Sequence, residues 1–163
     1  MAKVTYEVIE NYQEGKVNFE NIGRVMKLSN GRCEAIVTLD VGPRIMHFSL
    51  CGEKNMLNDD CSLKELMPDG RTWYSYGGHR VWHAPEKFPR SYVIDSAPLE
   101  NYTITENGIC MYQKEEDWTH IQKIIELEFQ EDRLIIYNRL VNKGAWAVEM
   151  AVWGQTSFAK DSL

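Results

Sequence analysis

Residues 24–39 read Arg-Val-Met-Lys-Leu-Ser-Asn-Gly-Arg-Cys-Glu-Ala-Ile-Val-Thr-Leu. Apolar and polar side chains alternate on both sides of Asn30-Gly31, a dipeptide that tolerates positive φ at both centres of a tight hairpin. Two antiparallel strands are therefore expected, Arg24 to Ser29 and Arg32 to Leu39. The pattern recurs: Tyr102 to Glu106 and Ile109 to Lys114 flank Asn107-Gly108. Ile121 to Phe129 and Arg133 to Arg139 then flank Gln130-Glu-Asp132, with Ile125, Leu127 and Phe129 on one face and Glu126 and Glu128 on the other. After Asn142-Lys-Gly144 a last strand is expected from Ala145 to Trp153, with Trp146, Val148, Met150 and Val152 on one face. Only Cys61 to Met67 looks helical, capped by Asp60 or Ser62 and stopped by Pro68-Asp-Gly70. There is no internal repeat, low-complexity tract or Gly/Ser linker. The chain reads as one all-β unit spanning 1–163.

The 163 residues are 44% hydrophobic and 26% charged, as in a soluble globular protein. A net charge of -6 argues against a polyanion partner such as nucleic acid, which needs a clustered excess of Lys and Arg, and none is expected. Residues 1–16 have no apolar leader core, and nowhere do about 18 apolar residues run without a charge. A cytoplasmic protein with no membrane partner is expected. The four cysteines form no C-x-x-C pair, so spacing suggests neither zinc nor a redox motif. They read as free thiols, buried or half-buried.

Met67 to Ser96 breaks the pattern. It has no clean period and holds three of the five prolines, and long loops in compact β domains are more often functional than decorative. His79 and His83 lie four apart, but Gly77-Gly78 and Pro85 argue against the helix that would turn both imidazoles toward one metal. No metal and no cofactor are expected. Two histidines in a bent loop instead suit hydrogen bonding to ligand hydroxyls, or proton transfer near neutral pH. Arg80, Glu86, Lys87 and Arg90 read by default as a solvated rim. Trp73, Tyr74, Tyr76 and Trp82 read equally as core. Together, however, aromatic faces beside planar polar groups are what a sugar requires.

Gly77-Gly-His-Arg-Val-Trp-His-Ala-Pro-Glu86, followed by Phe88-Pro-Arg-Ser-Tyr92, resembles a loop found in a bacterial branch of the galactose mutarotase-like (aldose 1-epimerase-like) superfamily. Gly42-Pro-Arg-Ile45, Gly52-Glu-Lys-Asn55, and Asn142-Lys-Gly-Ala-Trp146 leading into Glu149-Met-Ala-Val-Trp153 agree in order. The resemblance implies an antiparallel β-sandwich that is part of a supersandwich, with a concave carbohydrate-binding face. It also implies a catalytic set of an early arginine, two histidines and a glutamate. Arg44 matches the arginine, and His79 or His83 the first histidine. Where the second histidine is expected, Asn138 stands, and an amide cannot deliver a proton at neutral pH. The glutamate belongs to a later half needing on the order of another hundred residues. The chain is thus expected to be the N-terminal part of the fold, self-associating as a two-fold homodimer through its exposed last strand.

Three functions follow from this reading. The first is a carbohydrate-binding protein using His79, Arg80, Trp82, His83, Glu86, Arg44 and Asn138. The second is an aldose 1-epimerase with His79 or His83 as general acid and Glu86 or Glu149 as base. The third is a folded remnant without ligand.

Overall fold

A computed structural model describes residues 3–12, 22–59, 64–67, 70–93 and 95–162. Among the described residues there is no helix, and none long and apolar enough to cross a membrane. The strands are β1 (Thr5–Ile9), β2 (Val25–Ser29), β3 (Cys33–Thr38), β4 (Ile45–Leu50), β5 (Lys64–Leu66), β6 (Thr72–Tyr74), β7 (His79–Ala84), β8 (Asn101–Ile104), β9 (Gly108–Tyr112), β10 (Ile121–Gln130), β11 (Arg133–Asn142) and β12 (Ala151–Thr156). A six-stranded sheet runs β1-β2-β3-β4-β7-β12 and a four-stranded sheet β11-β10-β9-β8, with β5-β6 a separate ribbon. Every pairing is antiparallel. The all-β expectation holds, as a sandwich.

Alternation explains how the two large sheets meet. Met26, Leu28, Ala35, Val37, Ile45 and Val81 from one sheet pack on Ile109, Met111, Ile125, Leu127 and Phe129 from the other. Burying such side chains contributes roughly 1.5–3 kcal/mol each before chain entropy is subtracted. The opposite phase of the six-stranded sheet is covered separately, where Val25, Ile36 and Met46 meet Tyr12, Ile22, Val41 and Tyr76.

The hairpins form as expected, but two turns sit one residue away from the Asn-Gly pair. In the first, the Asn30 amide donates to the Cys33 carbonyl at 3.2 Å, so Gly31-Arg32 is the central pair. Only Gly31 has positive φ there, and the Asn30 side-chain oxygen accepts from Arg32 and Cys33 N–H at 3.0 and 2.8 Å. Asn30 thus caps the turn from its corner. In the second, Thr105 N–H reaches the Gly108 carbonyl at 2.9 Å and Glu106-Asn107 turns the chain. Gly108 lies inside β9, where a Cβ would stand 1.8 Å from the Leu127 carbonyl oxygen. In the third, Gln130 opposes Arg133 across Glu131-Asp132.

Three expectations are corrected. The helix expected over Cys61–Met67 is instead β5 from Lys64, paired with β6. Residues 60–63 lie outside the described residues. One or two turns of helix cannot stand alone in water, whereas a ribbon closed at Gly70, with φ +83°, satisfies its backbone. The supposed loop Met67–Ser96 contains β6 and β7. Its aperiodicity is an inverted pattern, since β7 turns histidines inward and a tryptophan outward. The last strand starts at Ala151 rather than Ala145, because Ala151 pairs with Ala84 and the next β7-side residue, Pro85, has no N–H to extend the ladder. Residues 143–150 instead follow the His120 loop: Lys143 N–H donates to the His120 carbonyl at 2.8 Å, and Asn142 Nδ2 to the Trp146 carbonyl at 2.7 Å. Among the thiols, Cys33 and Cys110 are buried and Cys51 is exposed, with all three free; Cys61 lies outside the described residues.

Candidate functional site

β7 is preceded by Gly77 and Gly78, both at positive φ, and followed by Pro85. Between them the two-residue period turns His79, Val81 and His83 toward the four-stranded sheet, and Arg80, Trp82 and Ala84 away from it. The expected single cluster is therefore split across a strand. His79, His83 and Asn138 belong to the inner side, while Arg44, Arg80, Trp82 and Glu86 belong to the outer. The two imidazoles share a face but stand four strand residues apart, about 13 Å along the chain axis.

His79 is held on both ring nitrogens. Nε2 meets Asn138 Oδ1 at 3.0 Å and Nδ1 meets Thr156 Oγ1 at 2.8 Å. An amide oxygen only accepts, so Nε2 carries the proton and the threonine hydroxyl donates to Nδ1. Burial pushes the imidazole below its usual range, against the Asn138 bond, so the ring is neutral at pH 7. Gly154 makes room for the pair, since a Cβ there would stand 2.8 Å from Asn138 Nδ2. Asn138 does meet a histidine, but as a hydrogen-bond partner with no proton to give.

His83 joins a buried charge group. Its Nε2 lies 3.4 Å from Glu116 Oε2, in contact but without the geometry of a hydrogen bond. Glu116 Oε1 lies 2.7 Å from Lys123 Nζ, close enough for an ion pair though its angles fall short of a hydrogen bond. The Thr119 hydroxyl also donates to Glu116. Burial alone would raise this carboxyl, but His83, Lys123 and Thr119 together hold it below the usual range. Above the group opens a cavity of about 220 Å³, lined by His83, Arg90, Trp118, Thr119, Val148 and Met150.

On the outer side, Arg44 Nη2 donates to both Asp95 oxygens at 2.8 and 2.9 Å, and the guanidinium lies 4.9 Å from the Tyr76 ring centre. Asp95 would be raised by burial, yet Arg44, Lys123 and Arg80 keep it below its ordinary value. The Arg80 guanidinium carbon lies 4.3 Å from the Trp82 ring centre and 5.2 Å from that of Trp73, with Nε donating to Gln155 at 2.7 Å. Burial, with Arg44 adding, pushes its pKa down to about 10. Trp82 in turn packs edge-on against Trp153 and Tyr92. Glu86 is exposed and accepts from the Tyr92 hydroxyl.

Glu116, Lys123, Asp95, Thr156 and Gln155 join the site without having been candidates on sequence. Lys123 had a visible signal: it stands on the inward phase of Ile121 to Phe129, where every other position is apolar. No protein-family model, curated protein or solved structure matches the chain, so kinship with the mutarotase-like superfamily enters only as a proposal.

Proposed function

We propose that this chain is a carbohydrate-binding protein of the galactose mutarotase-like class, built as part of a larger supersandwich. The observation that supports it best is the cavity over His83. It brings together an exposed indole (Trp118), a guanidinium (Arg90), an imidazole and the Thr119 hydroxyl. Its volume of about 220 Å³ is below the roughly 300–1,000 Å³ of sites for drug-sized ligands, a size for one small polar ring. Binding is favoured over epimerisation because acid–base chemistry on a pyranose needs two titrating groups on opposite sides of the ring. His79 has both nitrogens engaged away from the cavity, and Glu116 lies directly against His83 and Lys123. An intracellular setting goes with this reading, since the described cysteines are all free thiols.

Titration with D-galactose and D-glucose, followed by tryptophan fluorescence, is expected to give a saturable change. Trp118→Ala should weaken it roughly tenfold, the loss of about 1–1.5 kcal/mol of ring contact, with little effect on stability because Trp118 is exposed. No saturable change with either sugar, or an unaltered affinity in Trp118→Ala, would sink the assignment.

The partner is proposed to be a second copy of the chain. β11 and β12 are the edge strands of their sheets and face one another on the same side of the sandwich. Inward residues Leu134, Ile136 and Leu140 of β11 are only half-buried, whereas Ile125, Leu127 and Phe129 of β10 are at most 3% exposed. Val152 of β12 is 48% exposed and nearby Trp146 84%. The N-terminal strand β1 pairs with β2 at the far edge and does not cover this side. A two-fold axis pairing β12 with its own copy would satisfy the open backbone and bury these side chains. Light scattering at micromolar concentration is expected to return twice the 18.9 kDa chain mass, and Val152→Lys to halve it. A monodisperse wild-type monomer excludes the dimer.

A further inference from the structure

The outer face of β7 holds a cluster of N–H donors without acceptors. Arg80 Nη1, Trp73 Nε1 and Trp82 Nε1 are buried and have no hydrogen-bond partner, and neither do Nε and Nη1 of Arg44. Ile45 pairs with His79, so Arg44 sits one antiparallel step along, beside Arg80. Indole and guanidinium groups only donate, so no rearrangement among them satisfies any of them. Buried polar groups mostly find partners, so an acceptor from outside these side chains, water or ligand, would satisfy the cluster.

Charge points the same way. Three cations, Arg44, Lys123 and Arg80, act on Asp95, and the only other buried carboxylate among the described residues is Glu116. Arg80 is the cation left over, its one side-chain hydrogen bond going to the neutral Gln155. Like charges directly opposite on neighbouring strands repel, and nothing buried offsets Arg44 beside Arg80 except the one Asp95. Glu86, the remaining acid in range of Arg80, is exposed, screened by water and bound by Tyr92.

We infer that the outer face of β7 is a binding site for a small organic carboxylate, whose oxygens accept from Arg80 Nη1 and the indole N–H groups of Trp73 and Trp82. One surplus positive charge matches a monoanion; a phosphate monoester, carrying about -1.5 to -2 at neutral pH, overfills it. The site faces away from the His83 cavity and does not rest on the sugar reading.

The test is a fluorescence titration of the full chain with acetate and with D-glucuronate, against inorganic phosphate and chloride at constant ionic strength. Trp73 and Trp82 report directly. A saturable change with at least one carboxylate, and none at matched concentration with phosphate or chloride, is expected. Arg80→Gln should weaken it by about tenfold or more, as loss of a charge-assisted hydrogen bond does. Glu86→Gln, an exposed change that leaves the fold alone, should leave binding near the wild-type value, because Glu86 is screened by water and held by Tyr92. The inference is overturned by silence with both carboxylates, by an equal response to phosphate or chloride, by wild-type affinity in Arg80→Gln, or by loss of the response in Glu86→Gln.

Discussion

Lys123→Ala is expected to lower the unfolding free energy by about 3–5 kcal/mol at pH 7, the cost of leaving a buried carboxylate without its cation. Glu116 has no exposed side-chain surface and Lys123 only 1%, so water cannot take the ammonium's place without opening the core. A group whose folded pKa lies below its unfolded value contributes stability that is present above the unfolded value and lost as pH falls through the folded one. In the wild type Glu116 is such a group. Without Lys123, burial dominates and the carboxyl prefers its proton, so the sign reverses. The gap between wild type and Lys123→Ala should therefore narrow steadily from pH 7 to below the usual glutamate value of 4.5. Denaturant titrations across that range check it. A gap independent of pH would mean that the loss comes from packing. A Glu116→Leu, Lys123→Met double variant should recover most of the stability, because replacing a whole buried pair with apolar groups is often close to neutral.

Much of the sandwich could be read from the chain because its strands obey a period of two with one apolar phase. β2, β3, β9 and β10 do so, and each is where alternation put it to within two residues. β7 could not be read that way. Its inward positions are His79, Val81 and His83 and its outward ones Arg80, Trp82 and Ala84, so hydropathy sees no strand. Its identity as a strand comes from tertiary pairing with β12 and from partners, Asn138, Thr156 and Glu116, that satisfy polar groups facing inward. The site residues were visible as chemistry but not as geometry. Placing Arg80 and His83 in one cluster assumed a loop, and a strand sends neighbours to opposite faces. Residues 145–153 misled in the opposite sense: alternation was present, but the proline at 85 sets where pairing can begin. Asp95 had no signal, because a lone aspartate in a turn-rich stretch looks like a solvent-exposed one until Arg44 is placed beside it.

Gly78→Ala is expected to cost about 3–5 kcal/mol, and Gly31→Ala only about 1–2, although both glycines sit at positive φ. The left-handed backbone penalty, about 1–2 kcal/mol for an L-residue, is common to the two. Space is not. Nothing lies within 4 Å of a Cβ built at Gly31, whereas at Gly78 it would stand 2.2 Å from the Ile45 carbonyl oxygen and 3.2 Å from the Met46 Cα. Both obstacles are backbone, so no side-chain rotation relieves them. Gly78 also donates to the Asn58 carbonyl at 2.7 Å and accepts from Ser157 at 2.9 Å, stitching β7 to the chain on both sides. The seam it would push apart is thin, because β4 and β7 share the single register pair Ile45 and His79. Opening it separates β1-β2-β3-β4 from β7-β12, carrying His79, Arg80 and His83 away from Arg44 and Asp95. Gly78→Ala should therefore broaden the unfolding transition as well as lower it, with tryptophan fluorescence from the Trp82 cluster changing before the far-ultraviolet signal of the remaining strands. Equal losses in Gly78→Ala and Gly31→Ala, or coincident transitions by both probes, would show that the seam is not the weak line of the sheet.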